Sequence, residues 1–469
     1  MALYLFGIGG TGSRVIKSLV MLLASGVKIN TDIIYPIIID PDKNNGDLEL
    51  TINTLKEYCK VRGGISNFTD NHFFETEFKT LNETNGKEFR LDLAEIQAQK
   101  FKEYIGYDHL SSNSPNKALT ELLFSESNLN LDMQVGFKGN PNIGSVALNQ
   151  FNHMNSDFLT FANNFNSNDR IFIISSIFGG TGAAGFPLLI KNIRNADSSI
   201  PSSQLLSNAC IGGITVLPYF KLNPGEIDSK DFISKTKAAL YYYNNNLNSS
   251  VNAFYYTAFN DDIDTYDNKP GSNNQKNKAH IVEMASALSI IDFMSLDNPK
   301  NLYKEFGVKK ASNQTISFDD LGEITNGQIS KPLTQYKLLS SYFSQLFDKS
   351  INSQPWTNRG KLVFNTDFIN GAFYKSICSF NKIYEDWLNE ISNNKPSFTP
   401  FETNINENNL LGLVMKHTSS SKKWKPNYVL FDEYLNKSER ELDCKNLNDK
   451  LMTLFYNATD NLVTKEIKL

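Results

Sequence analysis

Three glycine-rich stretches of the chain have the composition of loops that hold phosphate. The first, Gly7-Ile8-Gly9-Gly10-Thr11-Gly12-Ser13, follows an apolar run and opens a helical pattern. Glycines there let the backbone approach an anion, and the unpaired amides of a helix N-terminus supply donors and partial positive charge. No Gly-Lys-Ser/Thr follows, so this is not a Walker A loop. Taken alone, it also reads as a tight structural turn. The second, Ser175-Ser176-Ile177-Phe178-Gly179-Gly180-Thr181-Gly182-Ala183-Ala184-Gly185, repeats the same strand-to-helix setting. Between them in sequence lies Gly136-Phe137-Lys138-Gly139-Asn140-Pro141-Asn142-Ile143-Gly144-Ser145. Two such loops at one edge of a parallel sheet face the crevice beyond the strand ends, where ligands bind.

The elements that must position these loops follow from the apolar pattern. Residues 2–6, 33–39, 170–177, 209–216 and 253–259 are near-continuous apolar runs, as expected of strands covered on both faces. Helical patterns at 13–24, 184–194, 229–243 and 276–296 alternate with them. The fold class expected is therefore α/β, a Rossmann-like parallel sheet wrapped by helices. Residues 43–133 are polar and rich in Phe and Asn, and read as an insertion into that sheet domain. Past residue 297 the pattern turns helical, at 331–347, 368–391 and 446–467. The expected layout is a nucleotide-binding domain over 1–275, a central linking helix over 276–297 and a mostly helical domain over 298–469.

Composition narrows the function classes. A chain of 469 residues exceeds the size at which one core stops growing, so more than one domain is expected. Its 46 basic and 50 acidic residues leave a net charge of −4, without the positive excess of a nucleic-acid binder. Cys59, Cys210, Cys378 and Cys444 form no C-x-x-C pair, which argues against a zinc knuckle or disulfide scaffold and fits a reducing cytoplasm. The longest apolar runs, 15–23 and 171–178, fall well short of the roughly 20 residues that cross a bilayer. The N-terminus carries no basic leader, so a cytoplasmic location is expected.

In their order and wording the three loops resemble those of the tubulin/FtsZ superfamily of GTP-binding filament proteins, its bacterial members above all. The opening G-x-G-G-x-G, the G-x-x-x-N-P-x-x-G turn and the Gly179-Gly180-Thr181-Gly182 core match, with Phe178 and Ala184 standing where that family has glycine. Ile214-Thr215-Val216-Leu217-Pro218-Tyr219-Phe220 is similar to its T-x-P-F segment, and Ile38-Ile39-Asp40-Pro41-Asp42 to its N-T-D loop. The similarity covers about residues 1–50 and 133–297.

The resemblance implies GTP or GDP with Mg²⁺ as ligands. It places Gly9, Gly10, Thr11, Gly12, Ser13, Gly139, Asn140, Gly179, Gly180, Thr181 and Gly182 around the phosphates. Pro218 would lie over the ribose, while Asn260 and Asn277 would meet the base. Asn277 stands where the family has an Asp, and a neutral amide does not accept the two hydrogen bonds a guanine edge offers a carboxylate. Asp40 and Asp42 are acceptors for a hydrated Mg²⁺, or equally the acids of an Asp-Pro-Asp turn. The catalytic carboxylate of the family, given by one subunit to its neighbour, has Asp297, Asp319 and Asp320 as candidates here, each also readable as a capping or solvated aspartate. The resemblance implies further copies of the chain, head to tail, as partners, while the long 43–133 segment and the helical C-terminal half, which depart from the family, point to a dedicated partner protein. The rival resemblances are a ThiF-like adenylating enzyme and a dinucleotide-binding dehydrogenase, both of which leave Gly179–Gly185 without a role. A nucleotide-binding scaffold that neither hydrolyses nor polymerises keeps the fold.

Overall fold

The apolar runs pair side by side into a seven-stranded, all-parallel sheet. A computed structural model describes residues 1–66, 72–81, 88–93, 96, 99–134, 136–151, 155–223, 232–247, 249–258, 265–266, 276–307, 315–351, 353–415 and 427–469. The strands are β1 (Ala2–Ile8), β2 (Ile33–Ile39), β3 (Glu77–Phe78), β4 (Arg170–Ser176), β5 (Cys210–Val216), β6 (Ala253–Ala258) and β7 (Leu302–Gly307). Their spatial order is β3-β2-β1-β4-β5-β6-β7. The chain starts mid-sheet, winds to one edge, then returns and winds to the other, so the order reverses between β1 and β4. The two strand-to-helix glycine loops leave those two strands, side by side: β1 enters α1 (Gly9–Ala24) and β4 enters α4 (Gly180–Arg194).

Both faces are covered. On one, Tyr4, Phe6, Ile171 and Ile173 pack under α3 (Pro141–Ala147), α4 and α5 (Phe232–Asn246). On the other, Leu3, Leu5, Phe172 and Ile174 pack under α1, α2 (Gly46–Gly63) and α6 (Ile281–Ser295). That second core continues without a break into α7 (Glu323–Gln345), α8 (Ala372–Ser392), α9 (Asn427–Arg440) and α10 (Leu447–Leu462). Trp356 and Trp387 are fully buried within it. Among the described residues no helix is long and apolar enough to cross a membrane.

Three expected boundaries move. Residues 43–133 are not all insertion: α2 and β3 are regular parts of the wound sheet, and α2 escapes a periodicity reading because it is buried against both α1 and α8. The central helix starts at Ile281, where His280 caps it in a reciprocal pair with Glu283. The sheet also continues past residue 297, since β7 pairs with β6 from Ala253↔Leu302 to Ala258↔Gly307.

Candidate nucleotide site

The loops after β1 and β4 and the 136–140 turn close on one another at the carboxyl edge of the sheet. Gly9 makes the first turn at φ +72°, a left-handed conformation that side-chain-bearing residues rarely hold. Gly180 lets the loops abut: a Cβ there would sit 3.0 Å from both the Asn140 amide nitrogen and Phe137 Cβ. Neither α1 nor α4 has a side chain capping its N-terminus, and neither has an acidic residue in its first turn. The first amides of two long helices are thus left to a ligand, the setting that favours an anion.

These loops line a cavity of about 150 Å³ together with Arg14, Asp40, Asp42, Asn45, Lys138 and Asn277. Phe178, Phe220, Leu222 and Phe232 make its apolar end. The volume suits phosphates with a hydrated cation and is below the roughly 300 Å³ of a whole ligand pocket. Segments 224–231 and 267–275, which lead to Phe232 and Asn277, lie outside the described residues.

Of the expected site residues, Gly9, Gly10, Thr11, Gly139, Gly179, Gly180, Thr181, Gly182, Asn277, Asp40 and Asp42 come together on this wall. Gly12 and Ser13 do not line it. A Cβ on Gly12 would meet the Gly7 carbonyl carbon at 2.6 Å, so that glycine seats α1 on β1, and Ser13 Oγ donates to the Gly9 carbonyl at 3.2 Å. The Asn140 amide is already spent on the Phe137 carbonyl at 2.8 Å. Pro218 is off the cavity lining, Asn260 lies outside the described residues, and Asp297, Asp319 and Asp320 are absent from the wall.

The site also holds residues that its local spacing does not reveal. Beneath the first loop Arg14 is buried, with Asp47 Oδ2 and Glu283 Oε1 each at 2.5 Å and the Tyr219 hydroxyl at 2.7 Å. Burial alone would lower its affinity for a proton, but Tyr219, Glu283 and Asp47 outweigh that and hold it charged. Asp47 Oδ1 also accepts the Asn277 amide at 2.9 Å, and Glu283 Oε2 accepts the His280 amide at 3.1 Å. One guanidinium therefore ties the β1–α1 loop to α2 and to the start of α6. The only sequence signal was an arginine directly after the glycine run.

Asp40 and Asp42 sit in successive turns: the Asp42 amide donates to Asp40 Oδ1 and the Asn44 amide to Asp42 Oδ1, each at 3.0 Å. Burial first, then Asp42 and Asp47, push the Asp40 carboxyl up to about 7, against the pull of that amide and of Arg90. Among the described residues, the ionisable groups on the wall besides Arg14 are Asp40, Asp42 and Lys138. The two carboxylates favour an anion that brings a cation with it. The donor set fits Mg²⁺ held largely through its water, since a dehydrated ion would demand more carboxylate oxygens than two part-used groups supply.

The raised Asp40 value has a measurable consequence. The folded chain keeps a proton that the unfolded chain loses near pH 4, so without Mg²⁺ stability falls as pH rises from about 4 to about 7. Asp40→Asn should flatten that part of the curve in urea titrations; an unchanged slope would show that Asp40 does not set it.

No family model matches the chain, and no curated protein matches it. Among solved structures it is similar to CetZ from Methanosaeta thermophila strain DSM 6194, at 18% identity and a TM-score of 0.24, over 62% of this chain. The match spans about half the length of that protein, 51%.

Proposed function

We propose that the chain is a tubulin/FtsZ-like protein that binds GTP or GDP with Mg²⁺ and self-associates head to tail, hydrolysing GTP slowly at subunit contacts. The observation that carries this reading is the convergence of three glycine loops and two carboxylates on one cavity at the β1/β4 reversal. The free amides of α1 and α4 take the phosphates, and the Thr181 hydroxyl adds a donor. Asp40 and Asp42 are the residues that would hold Mg²⁺, and the ion would supply neutralisation of charge on the phosphate oxygens. Phe220, stacked on Tyr266 at 5.0 Å, gives the ribose and base an apolar side, and Asn277 faces the base edge.

Self-association draws support from where α6 ends. Its start lies beside the cavity, while its last turn reaches the opposite edge of the sheet, where Arg170 at the start of β4 donates to the Phe293 and Leu296 carbonyls at 2.8 Å. Asp297 follows, exposed. A head-to-tail neighbour would bring that carboxylate to the next cavity, and such an open contact repeats into a filament. Asp320 fits this role less well, because its Oδ2 caps Ser317 at 2.8 Å.

Calorimetry tests the reading. GTP with Mg²⁺ should bind more tightly than ATP, and chelating the metal should weaken it. Thr181→Val, which keeps the shape and removes the hydroxyl, should cost about 1 kcal/mol of binding, roughly fivefold in affinity. ATP binding better than GTP would overturn the guanine assignment, and a silent Thr181→Val would remove that hydroxyl from the phosphate site.

A further inference from the structure

Two apolar features have no part in the nucleotide site. The helix Pro115–Leu123 carries Leu119, Leu122 and Leu123 at helical spacing, and they are 55%, 83% and 58% exposed. Ser114 caps its start through the Lys117 amide, and Phe124 beyond its end packs on Phe101 at 4.8 Å, so the helix is anchored with its leucine face outward. An apolar stripe of that kind ordinarily faces a core. Elsewhere, between α5 and the β6/β7 end of the sheet, Leu217, Leu240, Leu247, Val251, Phe254 and Tyr303 line an apolar cavity of about 350 Å³. Tyr303 stands half-exposed at its rim.

Charge matches the two. The stretch 115–129 has Lys117 against Glu121 and Glu126, a net of one minus two, or −1. Helix α5, which roofs the groove, has Lys235 and Lys237 and no acid, a net of +2. We propose that they are the two halves of one contact: the Leu119–Leu122–Leu123 face of one copy lies in the groove under α5 of a second copy. The i, i+3, i+4 anchors are those by which an amphipathic helix fills an apolar groove. Knob and hole lie on different elements, so the contact is heterologous and each copy retains one free half of each kind. It uses neither the cavity nor Asp297, and it forms without nucleotide.

Light scattering of the full chain across concentration, without nucleotide, tests it. The parent should gain mass with concentration. Leu122→Glu loses no packing, because its side chain is solvated, and Tyr303→Glu puts charge on the groove rim. Each should weaken association at least about tenfold while leaving circular dichroism and GTP affinity unchanged. Each variant keeps the half that the other has lost, so mixing them should give pairs and nothing larger. A parent that stays monomeric, variants that associate like the parent, or a mixture that forms no pairs would each overturn the proposal. Association that appears only with GTP and ignores Leu122→Glu would also overturn it, while leaving the Asp297 contact standing.

Discussion

Arg14→Met should cost about 3–5 kcal/mol of stability, since it strands two carboxylates that are 1% exposed without their cation. The contrast is Lys28→Met, whose ion pair with Glu75 is on the surface and should cost under about 1 kcal/mol. Urea unfolding of both variants measures the difference. Glu283→Gln added to Arg14→Met should cost less than its separate effect, because the charge it removes no longer has its partner. A loss below about 1 kcal/mol for Arg14→Met would show that the triad is not what joins the loop to α2 and α6.

The second large effect concerns the cation. Asp40→Asn with Asp42→Asn removes both carboxylates from the cavity wall while keeping each side chain's size and its amide-accepting oxygen. Groups that hold a metal through water are typically worth about 10–100-fold in metal affinity. The double variant should lose that much GTP affinity in Mg²⁺ and become indifferent to chelation. In the absence of Mg²⁺ it should bind GTP at least as well as the parent, since the repelling carboxylates are gone. If GTP binding in the double variant remained as metal-dependent as in the parent, Mg²⁺ would have to be held elsewhere.

Which parts of this molecule can be read from sequence follows from how local the physics is. Strands covered on both faces, such as Ile33–Ile39, announce themselves as apolar runs, and a glycine loop between strand and helix is a contiguous motif. Most of the cavity wall was legible for that reason. Helix α2 was not, because burial on two sides erases the single stripe that periodicity detects. The strand Leu302–Gly307 was missed because its Lys304 and Glu305 break the apolar run, as charges do on an edge strand. The start of α6 moved because its cap is a histidine, outside the usual Ser, Thr, Asp and Asn. Arg14, Asp47 and Glu283 span 269 positions and meet only once the sheet is wound. No spacing rule joins them.

On the proposed reading the cavity belongs to a guanine nucleotide, and what the purified chain already carries decides it. Protein purified without added nucleotide would be denatured, and the released small molecules separated by ion-exchange chromatography and weighed by mass spectrometry. GDP or GTP, approaching one per chain, is the expected result. AMP or ATP in its place would point to adenylating chemistry, and NAD to a dehydrogenase; either would contradict the claim.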